Sequence, residues 1–183
     1  MQRLMVALFL ALVMSLTSAI CGATVPTPII NVGFNEGAGT VAANNGSAGG
    51  TLTLTTPIPT WSSNVPAGVG GRSSVDFGTT YANYCVESPT NYAQLTGLAK
   101  FTVTGWVNCR NSTEGSGGNR LVTWINHGGQ GVDVVYKSDG SVQVGINQWP
   151  DGVPARSSGG KIPTDAGAGV DNWRFFAVTY DST

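Results

Sequence analysis

The sequence predicts an all-β protein built as a sandwich of short strands. Three observations carry this prediction. Past residue 23, no useful length of chain shows the 3.6-residue apolar period of an amphipathic helix. Short runs rich in Val, Ile, Thr and aromatic residues recur along the chain. Gly, Asn and Asp separate them, and these residues supply the backbone conformations that tight turns require. Many short strands with Gly-rich turns and no helices pack as two sheets face to face.

In chain order, PIINVGF (28–34) reads as a first strand, and residues 36–54 as a Gly/Asn-rich loop running into a second. SSVDFG (73–78) and NYCVES (83–88) are short strands, and PTNYAQLTGLAK (89–100) is the one place for a helical turn. FTVTGWVNC (101–109) alternates: Phe101, Val103, Gly105, Val107 and Cys109 face one way, Thr102, Thr104, Trp106 and Asn108 the other. The first set belongs on the core. Trp106 is then the odd residue of a polar face, either covered by loops or paving a ligand surface. NRLVTWINH (119–127) is the next strand.

VDVVYKSDGSVQVGIN (132–147) is a hairpin, with its turn at Asp139-Gly140. A two-residue loop would set Lys137 against Val142 and Asp133 against Ile146, mixing the faces. A three-residue loop, Ser138-Asp139-Gly140, sets Tyr136 against Val142, Val134 against Val144 and Val132 against Ile146. Register follows the hydrophobic face, so the loop has three residues, with Gly140 left-handed. Residues 148–172 read as a long polar loop, a feature often functional in compact domains. Trp173 to Tyr180 reads as a strand buried on both faces, and Asp181-Ser182-Thr183 as the start of a turn.

Formal net charge is −1, and charged residues are 10% of the chain. A near-neutral chain offers no basic face for nucleic acid or anionic membrane. Residues 1–23 have the order of a secretory leader: Arg3, an apolar run from Leu4 to Leu16, then small residues. Cleavage after Ala19 or Ala23 is expected, with no membrane insertion afterwards. The run is short for a span of about 20 residues. Lipid attachment at Cys21 stays open, although Ile20 and Ser18 fit it poorly. An exported chain keeps Cys85 and Cys109, which can close one disulfide or remain two buried thiols. A loop of about 25 residues would contribute about 3–4 kcal/mol through chain entropy. Secretion or display on the cell surface follows from the leader.

Segments 32–52, 73–78, 101–110, 131–147 and 172–183, in this order and spacing, resemble a laminin-G-like domain. The strongest pieces are Phe-Thr-Val-x-x-Trp-Val (101–107) and Trp-x-x-x-Ala-Val-Thr-Tyr-Asp (173–181); Val75-Asp76-Phe77-Gly78 is a looser match. The resemblance implies a concanavalin A-like jelly-roll β-sandwich over residues 24–183, incomplete at its C-terminal end. In such domains further strands follow the Val-Thr-Tyr-Asp strand, so additional sequence is expected after Thr183. Residues 24–183 alone are then expected to be unstable or oligomeric, with an apolar sheet edge exposed.

The same superfamily includes β-glucanases. Retaining glycosidases need two carboxylates about 5–5.5 Å apart. Glu36, Glu87 and Glu114 are far apart in sequence, and Asp133 and Asp139 are separated by the hairpin turn, as Asp165 and Asp171 are by loop. His127 is the only histidine, and no Gly-x-Ser-x-Gly motif accompanies it. One His and two Cys give too few zinc ligands. The glycines of 46–50 and 115–119 do not join a strand to a helix, so they are turn residues rather than a phosphate cradle. No catalytic residue is assigned. Calcium takes about six to eight oxygens. Glu36 with Asn44 and Asn45, or Asp151 with Asp165, could supply only some of them, and no metal ligand is assigned.

Carbohydrate binding needs less. A sugar stacks its apolar face on Trp or Tyr while Asn, Asp and Gln bond its hydroxyls. Asn147, Gln148, Trp149 and Asp151 gather where the hairpin enters the long loop, and Trp61 is a second aromatic candidate. Both rings could instead cap the sandwich edge. Trp124 and Trp173 lie in apolar runs and read as core. Asn45-Gly46-Ser47 and Asn111-Ser112-Thr113 are glycosylation sequons. The expected function is a non-catalytic binding domain for a glycan or surface ligand. A structural or adhesion spacer in a larger surface protein, or an accessory part of a glycan hydrolase, are the alternatives.

Overall fold

The structure is a computed structural model, and it describes residues 25–55, 57–78, 85–88, 91–109, 119–125, 130–147, 156–163 and 173–182. The leader segment and His127 lie outside the described residues, as do residues 148–155 and 164–172. The described residues contain no α-helix; they form eleven strands and one 3₁₀ turn, Ala93–Leu95. The strands are β1 (Val41–Ala43), β2 (Thr51–Thr55), β3 (Thr60–Ser62), β4 (Ser74–Asp76), β5 (Cys85–Glu87), β6 (Lys100–Asn108), β7 (Asn119–Ile125), β8 (Gly131–Tyr136), β9 (Ser141–Ile146), β10 (Arg156–Lys161) and β11 (Trp173–Asp181). No helix among these residues is long and apolar enough to cross a membrane.

All strand pairing is antiparallel. A four-stranded sheet runs β10-β9-β8-β7, β11 pairs with β6 as a two-stranded ribbon, β1-β2-β5 form a small sheet, and β3 pairs with β4. The β6–β11 ribbon packs over the four-stranded sheet. Phe101, Val107, Phe176 and Val178 from the ribbon meet Val132, Val134, Tyr136 and Val142, with Ile162 and Cys109 completing the cluster. Val134 is fully buried and Val132 nearly so; burying one such side chain contributes about 1.5–3 kcal/mol. Trp124 and Tyr180 both contact the ring of Phe101, at 5.2 Å in each case. Trp124 packs on the core as its apolar context implies.

The β8–β9 hairpin has the register that its apolar faces demand: Tyr136 opposite Val142, Val134 opposite Val144, Val132 opposite Ile146. Gly140 is left-handed at φ +85° and donates to the Lys137 carbonyl at 2.9 Å. The tip is also tied to β10. Ile162 N–H donates to Gly140 O at 2.7 Å, and Lys161 Nζ reaches Asp139 Oδ2 at 2.8 Å.

Three local expectations fail. Residues 28–34 form no strand and contribute one isolated bridge, Val32 to Asn44. The Asn44 side chain organises them instead: its Oδ1 accepts the N–H of Asn31 and of Gly46, and its Nδ2 donates to Gly49 O. The expected 25-residue loop contains β10, because the open edge of β9 supplies ladder partners to a segment of low strand propensity. Finally, β11 is buried on one face only. Phe176, Val178 and Tyr180 turn inward, while Phe175, Ala177 and Thr179 are exposed.

Candidate functional site

The outer face of the β6–β11 ribbon is the most distinctive surface among the described residues. The ladder sets residues directly opposite one another: Lys100 with Asp181, Thr102 with Thr179, Thr104 with Ala177, Trp106 with Phe175, and Asn108 with Trp173. Opposite residues of an antiparallel pair share a face, so these ten form one stripe. At one end Lys100 Nζ and Asp181 Oδ2 pair at 2.9 Å in solvent. The hydroxyls of Thr102 and Thr179 are 3.2 Å apart.

In the middle of the stripe Trp106 and Phe175 lie with ring centroids 5.5 Å apart at an interplanar angle of 60°. Such an edge-to-face pair gains about 0.5–1.5 kcal/mol beyond area burial. Both rings nevertheless remain open to solvent, Trp106 at 43% and Phe175 at 55%. At the far end Trp173 is half-buried, and its Nε1 donates to Asn64 Oδ1 at 3.0 Å. Next to it the Asn108 carboxamide is out of contact with water, and neither its Nδ2 nor its Oδ1 finds a hydrogen-bond partner among the described residues. A buried amide without partners costs about 1–3 kcal/mol.

The residues singled out from sequence are dispersed. Trp61 lies on β3 opposite Val75, half-buried, and its Nε1 donates to Gly39 O at 2.8 Å. It anchors the 37–40 loop. Asn147 follows β9 with φ +54°. Its N–H donates to Gly131 O at 2.7 Å and its Oδ1 accepts the Gly131 N–H at 3.0 Å, closing the open end of the hairpin. Trp149 and Asp151 lie outside the described residues. Cys109 is buried in the core cluster, and Cys85 opens β5 in the small sheet with its side chain outside the described residues.

Several of the described carboxylates are committed locally, although Glu87 at the exposed end of β5 is not. Glu36 Oε1 accepts the Ala43 N–H at 2.9 Å, and Asp76 Oδ1 accepts that of Gly78 at 2.7 Å. Asp133 is fully buried against Arg120 Nε at 3.1 Å. The Lys161 ammonium, then the Ser141 hydroxyl and N–H, hold the Asp139 carboxyl well below the usual carboxylate range. Glu36 Oε1 and Asn44 Oδ1 are thus taken up by backbone donors. No group of three or more His, Cys, Asp or Glu able to hold a metal occurs among the described residues.

Phe175 is the site residue that sequence reasoning missed. The cue was present in the alternation of residues 101–109, which places Trp106 outside; what it lacked was the ladder that sets Phe175 opposite. Comparisons with protein families, with curated proteins and with solved structures return no match.

Proposed function

We propose that this chain is a secreted or cell-surface binding domain with a laminin-G-like jelly-roll sandwich, which recognises glycans and does no chemistry on them. The observation that carries the reading is the solvent-open ring pair of Trp106 and Phe175 on an otherwise polar strand face. An exposed aromatic ring stacks on the C–H face of a pyranose. Thr104, in the same stripe, and the neighbouring Thr102 and Thr179 offer hydroxyls beside it. The local commitment of Glu36, Asp76, Asp133, Asp139 and Asp181 supports a non-catalytic role. The leader-like residues 1–23 support export.

The test is a glycan array followed by titration of the intact mature protein, reading tryptophan fluorescence. Binding is expected to be lost in Trp106→Ala, at a cost of about 2 kcal/mol or about 30-fold in Kd if Trp106 is the anchor. A folded protein that binds no glycan overturns this reading in favour of a spacer. Release of reducing sugar from a polysaccharide overturns it in favour of a hydrolase.

A further inference from the structure

We infer, building on the glycan reading above, that the outer face of the β6–β11 ribbon takes the end of a linear, neutral glycan. The terminal sugar stacks on Trp106 and Phe175, and the rest of the chain runs over the threonines toward Lys100 and Asp181. Every residue of the stripe from Lys100 and Asp181 to Trp106 and Phe175 is exposed. A further strand beside β11 would continue the same sheet, so it would widen this face rather than cover it.

The stripe is open on one side of the aromatic pair and closed on the other. At the rung beyond the pair, Trp173 is half-buried and the Asn108 carboxamide is out of contact with water. The segment that follows β3 stands against this rung. Asn64 N–H donates to Ser62 Oγ at 3.1 Å, Asn64 O accepts the Ser74 hydroxyl at 2.6 Å, and Asn64 Oδ1 accepts Trp173 Nε1 at 3.0 Å. The closed rung lies two residues, or about 7 Å, from Trp106 along the strand. A sugar inside a long chain must continue in both directions from the ring on which it stacks. Along this ribbon one of those directions is blocked, so a terminal sugar fits and an internal one does not.

The open side specifies the remainder. Thr104 lies one rung from the aromatic pair, and Thr102 and Thr179 lie two rungs away, at about 14 Å. Their hydroxyls each donate and accept, as the hydroxyls of a neutral sugar do. A chain crossing the ribbon at right angles would not reach Thr102. The only charges among the ten stripe residues are Lys100 and Asp181, and they pair at 2.9 Å. A uronic acid or a sulfated sugar finds no net positive charge here.

The experiment uses the intact mature protein and linear β-linked oligosaccharides of glucose, galactose and mannose, from the disaccharide to long chains. Calorimetry with protein in excess is expected to give one protein bound per chain, whatever the chain length. Thr102→Val combined with Thr179→Val should weaken the longer oligosaccharides about fivefold and leave the disaccharide unchanged. Valine matches threonine in shape and suits a strand, so the fold is kept. A stoichiometry that rises with chain length overturns the inference while glycan recognition stands. So does a double valine variant that binds long oligosaccharides as the native chain does. If none of these sugars binds but the array shows an acidic glycan, the inference falls alone. If the array shows no glycan at all, the glycan reading falls with it.

Discussion

Gly105 and Phe176 stand opposite each other in the β6–β11 ladder, and the Phe176 ring lies over the place where a Cβ on Gly105 would be. That Cβ would come 2.7 Å from Phe176 Cε1. Glycine in a strand is intrinsically unfavourable, so the ring contact is what the position serves. Phe176 is also packed against the core cluster, so moving its ring aside would give up those contacts. Gly105→Ala is expected to destabilise by about 1–2 kcal/mol through overpacking. Thermal unfolding reads this directly, and Phe176→Leu in the same chain should recover part of the loss as a coupled pair. A more stable single variant would mean that the ring moves freely.

The hairpin tip predicts a pH dependence. The Asp139 carboxyl is held below its ordinary range first by the Lys161 hydrogen bond, then by the Ser141 hydroxyl and N–H. A carboxylate with a depressed folded pKa contributes stability that is fully present above its unfolded value, near 4. That contribution disappears as pH falls toward the folded value. The difference in stability between the native chain and Asp139→Asn is therefore expected to be constant from about pH 5 to 7 and to shrink below pH 4. Denaturant melts across that range check it; a constant difference down to pH 2 would show that Asp139 does not titrate through folding. Salt should weaken the effect, because both side chains are in solvent.

Some of this architecture was legible in the sequence because one strand face must be apolar. Only a three-residue loop kept Val132, Val134 and Tyr136 on the side of Ile146, Val144 and Val142, and the structure has that register. β10 was not legible. Its Arg-Ser-Ser-Gly-Gly-Lys stretch has no strand propensity of its own, and its pairing comes from the edge of β9. Residues 28–34 erred in the other direction, since a β-branched run lost its ladder to the Asn44 side chain. Phe175 lies in a segment that is apolar at consecutive positions, so its exposure depends on which face the ribbon turns to the core. Asn147 and Trp61 were read as available to a ligand because sequence does not show that Gly131 and Gly39 already hold them.

Arg120 and Asp133 make a second stability prediction. Asp133 has no exposed surface, while the Arg120 side chain is one-third exposed. Removing the cation leaves a buried carboxylate beside β7, a loss of about 3 kcal/mol or more. Arg120→Met is expected to show it in chemical denaturation. Adding Asp133→Val should restore most of the stability, because a buried ion pair replaced by apolar groups of similar volume is close to neutral. If the double variant is as unstable as the single one, the carboxylate organises more of the sheet than its ion pair.

Asn108 connects packing to the proposed binding face. It lies two residues from Trp106 on the same side of β6, and its carboxamide is buried without a hydrogen-bond partner among the described residues. An apolar side chain of similar shape removes that desolvation cost, so Asn108→Leu is expected to stabilise by about 1 kcal/mol. Asn108→Asp should destabilise strongly, since it buries a charge at the same place. Glycan affinity distinguishes packing from recognition. If the Leu variant melts higher and binds as the native chain does, the aromatic pair acts without the amide. If it melts higher but binds more weakly, the carboxamide turns toward the sugar when the site is filled, and its unsatisfied state in the unliganded fold is part of recognition.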